Sequence, residues 1–264
     1  MQVLLAEAGV CSRRRAEDLI RLGRVTVNGL PATVGQKAIA DVDIIAVDGR
    51  SVSVGQEKVS YLLNKPAGVV TTLDDPQGRP SVRLYVDGLP WRLFPVGRLD
   101  RDSDGLLILT NDGELANQLM HPRYHVPKTY VATLDGPADE KVLEGLQAGV
   151  HLPDGVLTCV SVRRLSDASQ GQGRVEITIA EGRKRVVRRA LSALGRRTLR
   201  LTRIAIGPLL LGALPPGSMR RLDAGDMEVL RRAIRRAATQ AGHAPAGPGP
   251  TEGEGVPHSA ARSS

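Results

Sequence analysis

Aromatic side chains are almost missing from this chain. Tyr61, Tyr85, Tyr124, Tyr130, Trp91 and Phe94 are the whole supply, 2% of 264 residues, so any recognition by ring stacking rests on very few positions. Cysteine is scarcer still. Cys11 and Cys159 stand far apart, and neither belongs to a C-x-x-C or zinc-ligand spacing. A disulfide framework is therefore not expected, and a reducing cytoplasm is the default compartment. No basic-then-apolar signal region opens the chain, and no apolar run approaches the roughly 20 residues that a membrane span requires. There is no P-loop, no dinucleotide fingerprint and no zinc ligand set. The 5 histidines are scattered, so no metal site is expected, and His121, His125 and His151 read as ordinary loop or surface residues.

Positive charge is plentiful. Lys and Arg total 36 against 28 Asp and Glu, a formal net charge of +8. Such a surplus favours a polyanionic partner, nucleic acid above all, through phosphate contacts and counterion release. Composition alone equally suits a basic protein whose charge only keeps it dispersed. The length accommodates one full-sized domain with a small companion, or two modest domains.

The opening reads as two short helices and small strands. Val3, Leu4 and Ala8 share a helical face that ends at Gly9. Ser12 is a candidate N-cap for a second helix carrying Ala16, Leu19 and Ile20, with Gly23 as its stop. Val25–Val27 then meets Asn28-Gly29, a hairpin turn signal, and a strand from Ile44 to Val47 ends at Asp48-Gly49. Residues 51–60 form a linker. Beyond it, strand-like runs (61–63, 69–71, 106–110, 130–134, 175–179 and 199–206) mix irregularly with helical patterns (114–120, 138–148, 186–194 and 224–239). Mixing without regular strand–helix alternation predicts an α+β domain over residues 61–240, built on a mainly antiparallel mixed sheet. The tail 241–264, rich in Gly, Pro, Ala and Ser, is predicted to be disordered.

Residues 6–29, AEAGVCSRRRAEDLIRLGRVTVNG, resemble the S4 RNA-binding module, which places such a domain over residues 1–50. Arg13, Arg14, Arg15, Arg21 and Arg24 would supply its phosphate-facing charge; otherwise they are the wet side of an amphipathic helix.

The most informative stretch is 94–116, FPVGRLDRDSDGLLILTNDGELA. Asp100 sits on a loop between apolar segments, where a scaffold can aim a side chain. On physical grounds alone it is equally a turn former with Asp102 and Asp104. A calcium loop is disfavoured because its closing Glu is absent. Gly97-Arg98-Leu99-Asp100 followed by GLLILTNDG resembles the signature of the pseudouridine synthases, in the branch of ribosomal small-subunit synthase A and large-subunit synthase B. Asn64–Thr72 (NKPAGVVTT), Met120–Ala132 (MHPRYHVPKTYVA) and Glu181–Arg189 match that branch's other motifs, in order. Lys184 and Val186 depart from it, standing where Asn and Gln or Glu are usual.

The resemblance implies conversion of a uridine to pseudouridine in ribosomal RNA, most like the large-subunit synthase B type, with Asp100 as catalytic carboxylate. Breaking the sugar–base bond leaves the anomeric carbon electron-poor, a centre that glycosidases also meet with carboxylates. Atoms are conserved, so no cofactor is required. Tyr130 would stack on the extruded uracil or help remove the proton from carbon five, unless it is an ordinary core tyrosine. Arg188 would keep Asp100 ionised as a bidentate partner; Arg183 and Arg185 are candidates for that role or for phosphate contact. Arg98 would fill the space left by the flipped base and Lys65 would touch RNA, unless both support the Asp100 loop. The basic run Arg183, Lys184, Arg185, Arg188, Arg189, Arg196, Arg197, Arg200 and Arg203, with Glu181 as its one acid, reads as an RNA backbone track. Expected partners are ribosomal RNA and ribosome assembly intermediates, with the protein a monomer. The rivals are a non-catalytic S4-type RNA-binding or assembly protein, and a nucleoside glycosidase.

Overall fold

A computed structural model describes residues 1–40, 42–53, 55–166 and 171–241, without the side chains of 238–241. The tail for which disorder is predicted lies outside this range, apart from residue 241, which ends the last helix.

The opening module comprises α1 (Gln2–Glu7), α2 (Arg13–Arg21), β1 (Val25–Val27), β2 (Leu30–Pro31), β3 (Ile45–Val47) and β4 (Arg50–Ser51). Ser12 caps α2 as expected, its hydroxyl accepting from the Arg15 amide. Asn28 and Gly29, then Asp48 and Gly49, take positive φ, the mirror-image turn conformation that suits the twist of tight hairpins. The strands pair in the order β2-β1-β3-β4. Leu5, Ala16, Leu19, Ile20, Val25, Val27 and Ile45 bury the seam between helices and sheet, each large apolar side chain contributing roughly 1.5–3 kcal/mol.

The second part contains β5 (Ser60–Lys65), β6 (Phe94–Val96), β7 (Asp104–Thr110), α3 (Gly113–Met120), β8 (Lys128–Leu134), α4 (Glu140–Ala148), β9 (Val150–Leu152), β10 (Gly155–Leu157), β11 (Cys159–Leu165), β12 (Arg174–Ile179), α5 (Val186–Ala193), β13 (Thr198–Ile206), β14 (Leu209–Leu210), β15 (Met219–Arg221) and α6 (Ala224–Ala241). Its sheet runs β11-β12-β8-β13-β7-β5-β15, with β14 on β13 and β6 on β7. Every pairing is antiparallel except β13 with β7. The fold is α+β, with the mainly antiparallel mixed sheet that the sequence pattern predicts.

Strand β7 explains its own continuous apolar run. Leu106 and Ile108 enter one core, with α3 and α6, while Leu107 and Leu109 enter another on the opposite face. A strand buried on both sides has no need of alternating polarity. A third core joins α4 and α5 to β8, β12 and β13.

Two expectations change. Residues 69–71 do not form a regular strand; Val70 makes only an isolated bridge to Ser81, and the segment instead turns beneath the Asp100 loop. Strands β6, β9, β10, β11, β14 and β15 have weak patterns: β6 carries Pro95, and β11 is a largely exposed edge.

Candidate active site

Asp100 follows β6 and precedes β7. Gly97 makes the turn at φ 73°, with its amide against the Met120 sulfur at 2.8 Å. Leu99 is buried and plugs the loop into the core that holds Leu107 and Leu109. The Asp100 carbonyl accepts from the Ser103 amide at 3.1 Å. At Gly105, φ is +101° and a Cβ would stand 2.2 Å from the Arg203 carbonyl oxygen, so only glycine lets β13 pass this close to the loop's exit. The Asp100 side chain, 36% exposed, faces a cavity of about 330 Å³ shared with Thr71, Asp74, Arg79, Arg98 and Arg101. Among these, Asp74, Arg98 and Arg101 are exposed.

Among the described residues, the guanidinium within ion-pair distance of Asp100 belongs to Arg185, at 3.7 Å; the sequence reading puts Arg188 first for this role, with Arg183 and Arg185 as further candidates. Arg185 sits at the start of α5 in left-handed backbone, which turns its side chain toward the loop. It also grips Asp102 bidentately at 2.9 and 3.0 Å, and those bonds hold the Asp102 carboxyl below the ordinary carboxylate range. Arg188 does a different job. It is nearly buried and bridges backbone, donating to the Asp102 carbonyl at 2.8 Å and the Thr198 carbonyl at 2.9 Å, with the Asp102 carboxylate at 3.5 Å. It ties the acidic loop to β13.

Tyr130 lies on β8, opposite Ile177 of β12 and Arg203 of β13. Half-buried, it packs against two cores, including the one containing Leu99. Arg185 and Arg188 thus reach the loop that carries Asp100 directly, whereas Tyr130 is linked to it only through the core that it shares with Leu99 and does not line the Asp100 cavity.

Lys65 needs correction as an RNA contact. It is 0% exposed, and its ammonium donates to the Pro66 carbonyl at 2.9 Å and the Val69 carbonyl at 2.8 Å. Burial lowers its pKa to about 8, against the pull of Asp104, Asp102 and Asp100. Arg183 is likewise committed. Its donors go to Glu181, Asp154 and the Gly155 and Val156 carbonyls, fastening the β9–β10 hairpin.

The all-basic track also dissolves in three dimensions. Arg189 pairs with Asp154, Arg196 with Asp139, Arg197 with Asp135 and Arg200 with Asp104, while Arg203 is buried and donates to the Leu106 carbonyl. Distant acids supply the counter-charges. In the opening module, Arg24 is clamped by Asp48 and Arg21 lies 3.5 Å from Glu17 and Asp18. Arg13, Arg14 and Arg15 are exposed and, among the described residues, have no acidic partner. A larger groove, of about 830 Å³, is lined by His125, Pro127, Val160 and the outer face of α6. It contains no carboxylate and none of the residues gathered around Asp100.

The family model for RNA pseudouridylate synthase matches residues 59–193. The chain belongs to that family. The matched span contains Lys65, Asp100, Tyr130, Arg185 and Arg188, and a second model, the S4 domain, matches residues 2–38. This pseudouridine synthase is 46% identical over 232 residues to an uncharacterized RNA pseudouridine synthase of Aquifex aeolicus, covering 87% of this chain and 92% of that protein. It is 40% identical over 232 residues to the ribosomal large subunit pseudouridine synthase B of Bacillus subtilis, covering 88% of this chain and 95% of that one. A crystal structure of a pseudouridylate synthase superposes with a TM-score of 0.61 at 30% identity, over 87% of this chain and 98% of that chain. As a pseudouridine synthase it is an RNA-modifying isomerase, and its S4 domain is an RNA-binding module. Sequence reasoning placed Arg185 among the candidates behind Arg188, and it missed the counter-charge role of Asp102 and the burial of Lys65. Each depends on pairings across long stretches of chain that no local pattern signals.

Proposed function

We propose that this synthase isomerises a uridine of large-subunit ribosomal RNA, with Asp100 as the carboxylate that acts at the anomeric carbon. The observation that carries the reading is a half-exposed carboxylate in a cavity, with a guanidinium 3.7 Å away. As the base departs, positive character grows on the sugar carbon, and a fixed anion beside it stabilises that charge. Arg185 and Arg188 hold the loop that presents the anion. Tyr130 supplies an aromatic face to the uracil and an oxygen near carbon five, and Arg98 enters the space vacated by the flipped nucleotide. Arg13, Arg14 and Arg15 contact the phosphate backbone. The large-subunit substrate is carried by the likeness to synthases named for it. The protein acts as a cytoplasmic monomer on rRNA or an assembly intermediate. It is divided into an S4 domain over 1–50, a linker over 51–60 and a catalytic domain over 61–240.

The test is tritium release from RNA carrying uridine labelled at carbon five, since only isomerisation liberates that label. Asp100→Asn is expected to abolish release while RNA affinity stays near wild type. Release at the wild-type rate, or affinity lost in step with activity, removes Asp100 from the chemistry. Mapping pseudouridines in rRNA from cells lacking the protein identifies the nucleotide and the ribosomal RNA that carries it.

A further inference from the structure

Asp100 is presented by a loop, yet both of its chain neighbours are fastened from below by one segment. On the near side, the Thr71 hydroxyl donates to the Leu99 carbonyl at 2.7 Å and accepts from the Leu99 amide at 3.3 Å. On the far side, the Gly68 amide donates to the Arg101 carbonyl at 2.7 Å. The segment is itself rigid. The Lys65 ammonium closes the turn through the Val69 carbonyl. Val70 is held on both sides, its amide donating to Pro80 at 2.9 Å and its carbonyl accepting from Val82 at 3.0 Å. Thr71 is 6% exposed, so water cannot replace its hydroxyl without rearrangement.

We propose that Thr71 is a positioning residue for the reaction. Its hydroxyl fixes the backbone of Leu99, and through it the direction in which the next residue, Asp100, projects into the cavity. The hydroxyl's one proton is committed to the Leu99 carbonyl, and it makes no step of the chemistry itself. Valine has threonine's shape without its hydrogen bonds, so Thr71→Val releases the near side of the clasp and leaves the Leu99 amide and carbonyl without this partner. Reacting groups displaced by about 1 Å lose on the order of 100-fold in rate, because orientation rather than affinity is what has been spoiled.

The inference rests on the assignment of Asp100, and the experiment separates the two. Tritium release is measured on wild type, Asp100→Asn, Thr71→Val, Thr71→Ser and Thr71→Cys, together with RNA affinity and urea midpoint. Thr71→Val is expected to lower kcat roughly 10- to 100-fold, with KM and RNA affinity within about twofold of wild type. Thr71→Ser, which keeps the hydroxyl, recovers most of the rate. Should Thr71→Val not fold, Thr71→Cys, which keeps the bulk but bonds weakly, must show the same kcat-only loss. An inactive Asp100→Asn beside a folded Thr71→Val, or in its place Thr71→Cys, of wild-type kcat overturns the inference and leaves the carboxylate's role standing. The same overturning follows if the loss lies in KM, or if serine fails to rescue. An active Asp100→Asn overturns the carboxylate's role and the inference with it.

Discussion

Lys65 offers a sharp test of the architecture beneath the Asp100 loop, because its signature is a slope in pH. Its ammonium is 0% exposed, and burial lowers its pKa from 10.5 to about 8. Between those two values the unfolded chain binds the proton and the folded chain has released it, so stability rises with pH across the window. The full difference corresponds to about 3 kcal/mol at about 1.4 kcal/mol per pH unit, of which roughly 1 kcal/mol appears between pH 7 and 9. Lys65→Met keeps the aliphatic stem and removes the titrating group. It also strips the Pro66 and Val69 carbonyls of their donor, so stability at a single pH mixes two effects, whereas the slope isolates one. Lys128, lowered to about 8 by burial and by Arg203, adds a slope of the same sign in both proteins. Cys159, pushed up to about 11 by burial, opposes them above pH 9, so the comparison stops there. Urea unfolding at pH 7 and 9 is the assay, and the variant should gain roughly 1 kcal/mol less than wild type. Equal gains in the two proteins would mean that the ammonium is hydrated, and that the clasp described for Pro66–Val69 does not exist.

Two further outcomes follow from packing and from the arginines. Gly105→Ala sets a methyl 2.2 Å from the Arg203 carbonyl oxygen at a φ of +101°, so destabilisation of roughly 3 kcal/mol is expected, from overpacking plus left-handed strain. Chemical denaturation measures it, and a wild-type midpoint contradicts the close β7–β13 approach. Arg185→Met should lower the rate of tritium release but shift stability by less than about 1 kcal/mol, since its ion pairs are largely exposed. Arg188→Met should lower both rate and stability, by about 1–3 kcal/mol for the latter, because the Asp102 and Thr198 carbonyls lose a buried donor. Equal stability losses in the two variants would erase the distinction between them.

Much of the fold was legible wherever local chemistry dictates local structure. Ser12 caps a helix because its oxygen reaches amides within one turn. Asn28-Gly29 and Asp48-Gly49 turn because these residues tolerate positive φ. The Leu106–Thr110 run forms a strand because apolar side chains on both of its faces must leave water. The resemblance in the same chain also drew attention to the loop bearing Asp100, which the structure puts at a cavity beside an arginine.

What the chain order alone leaves open is which charge meets which. Arg183 through Arg203 reads as an uninterrupted basic band, yet folding brings Asp102, Asp104, Asp135, Asp139 and Asp154 against it. Choosing Arg185 over Arg188 as the residue beside Asp100 depends on a left-handed step at the start of α5, and burying Lys65 depends on β5 lying against β7. Local propensity and periodicity act over a few residues, whereas an ion pair or a hydrogen bond is decided by whichever strands the sheet makes neighbours. Chemistry-bearing residue types are therefore written in the chain, and their partners are assigned only when the sheet closes around them.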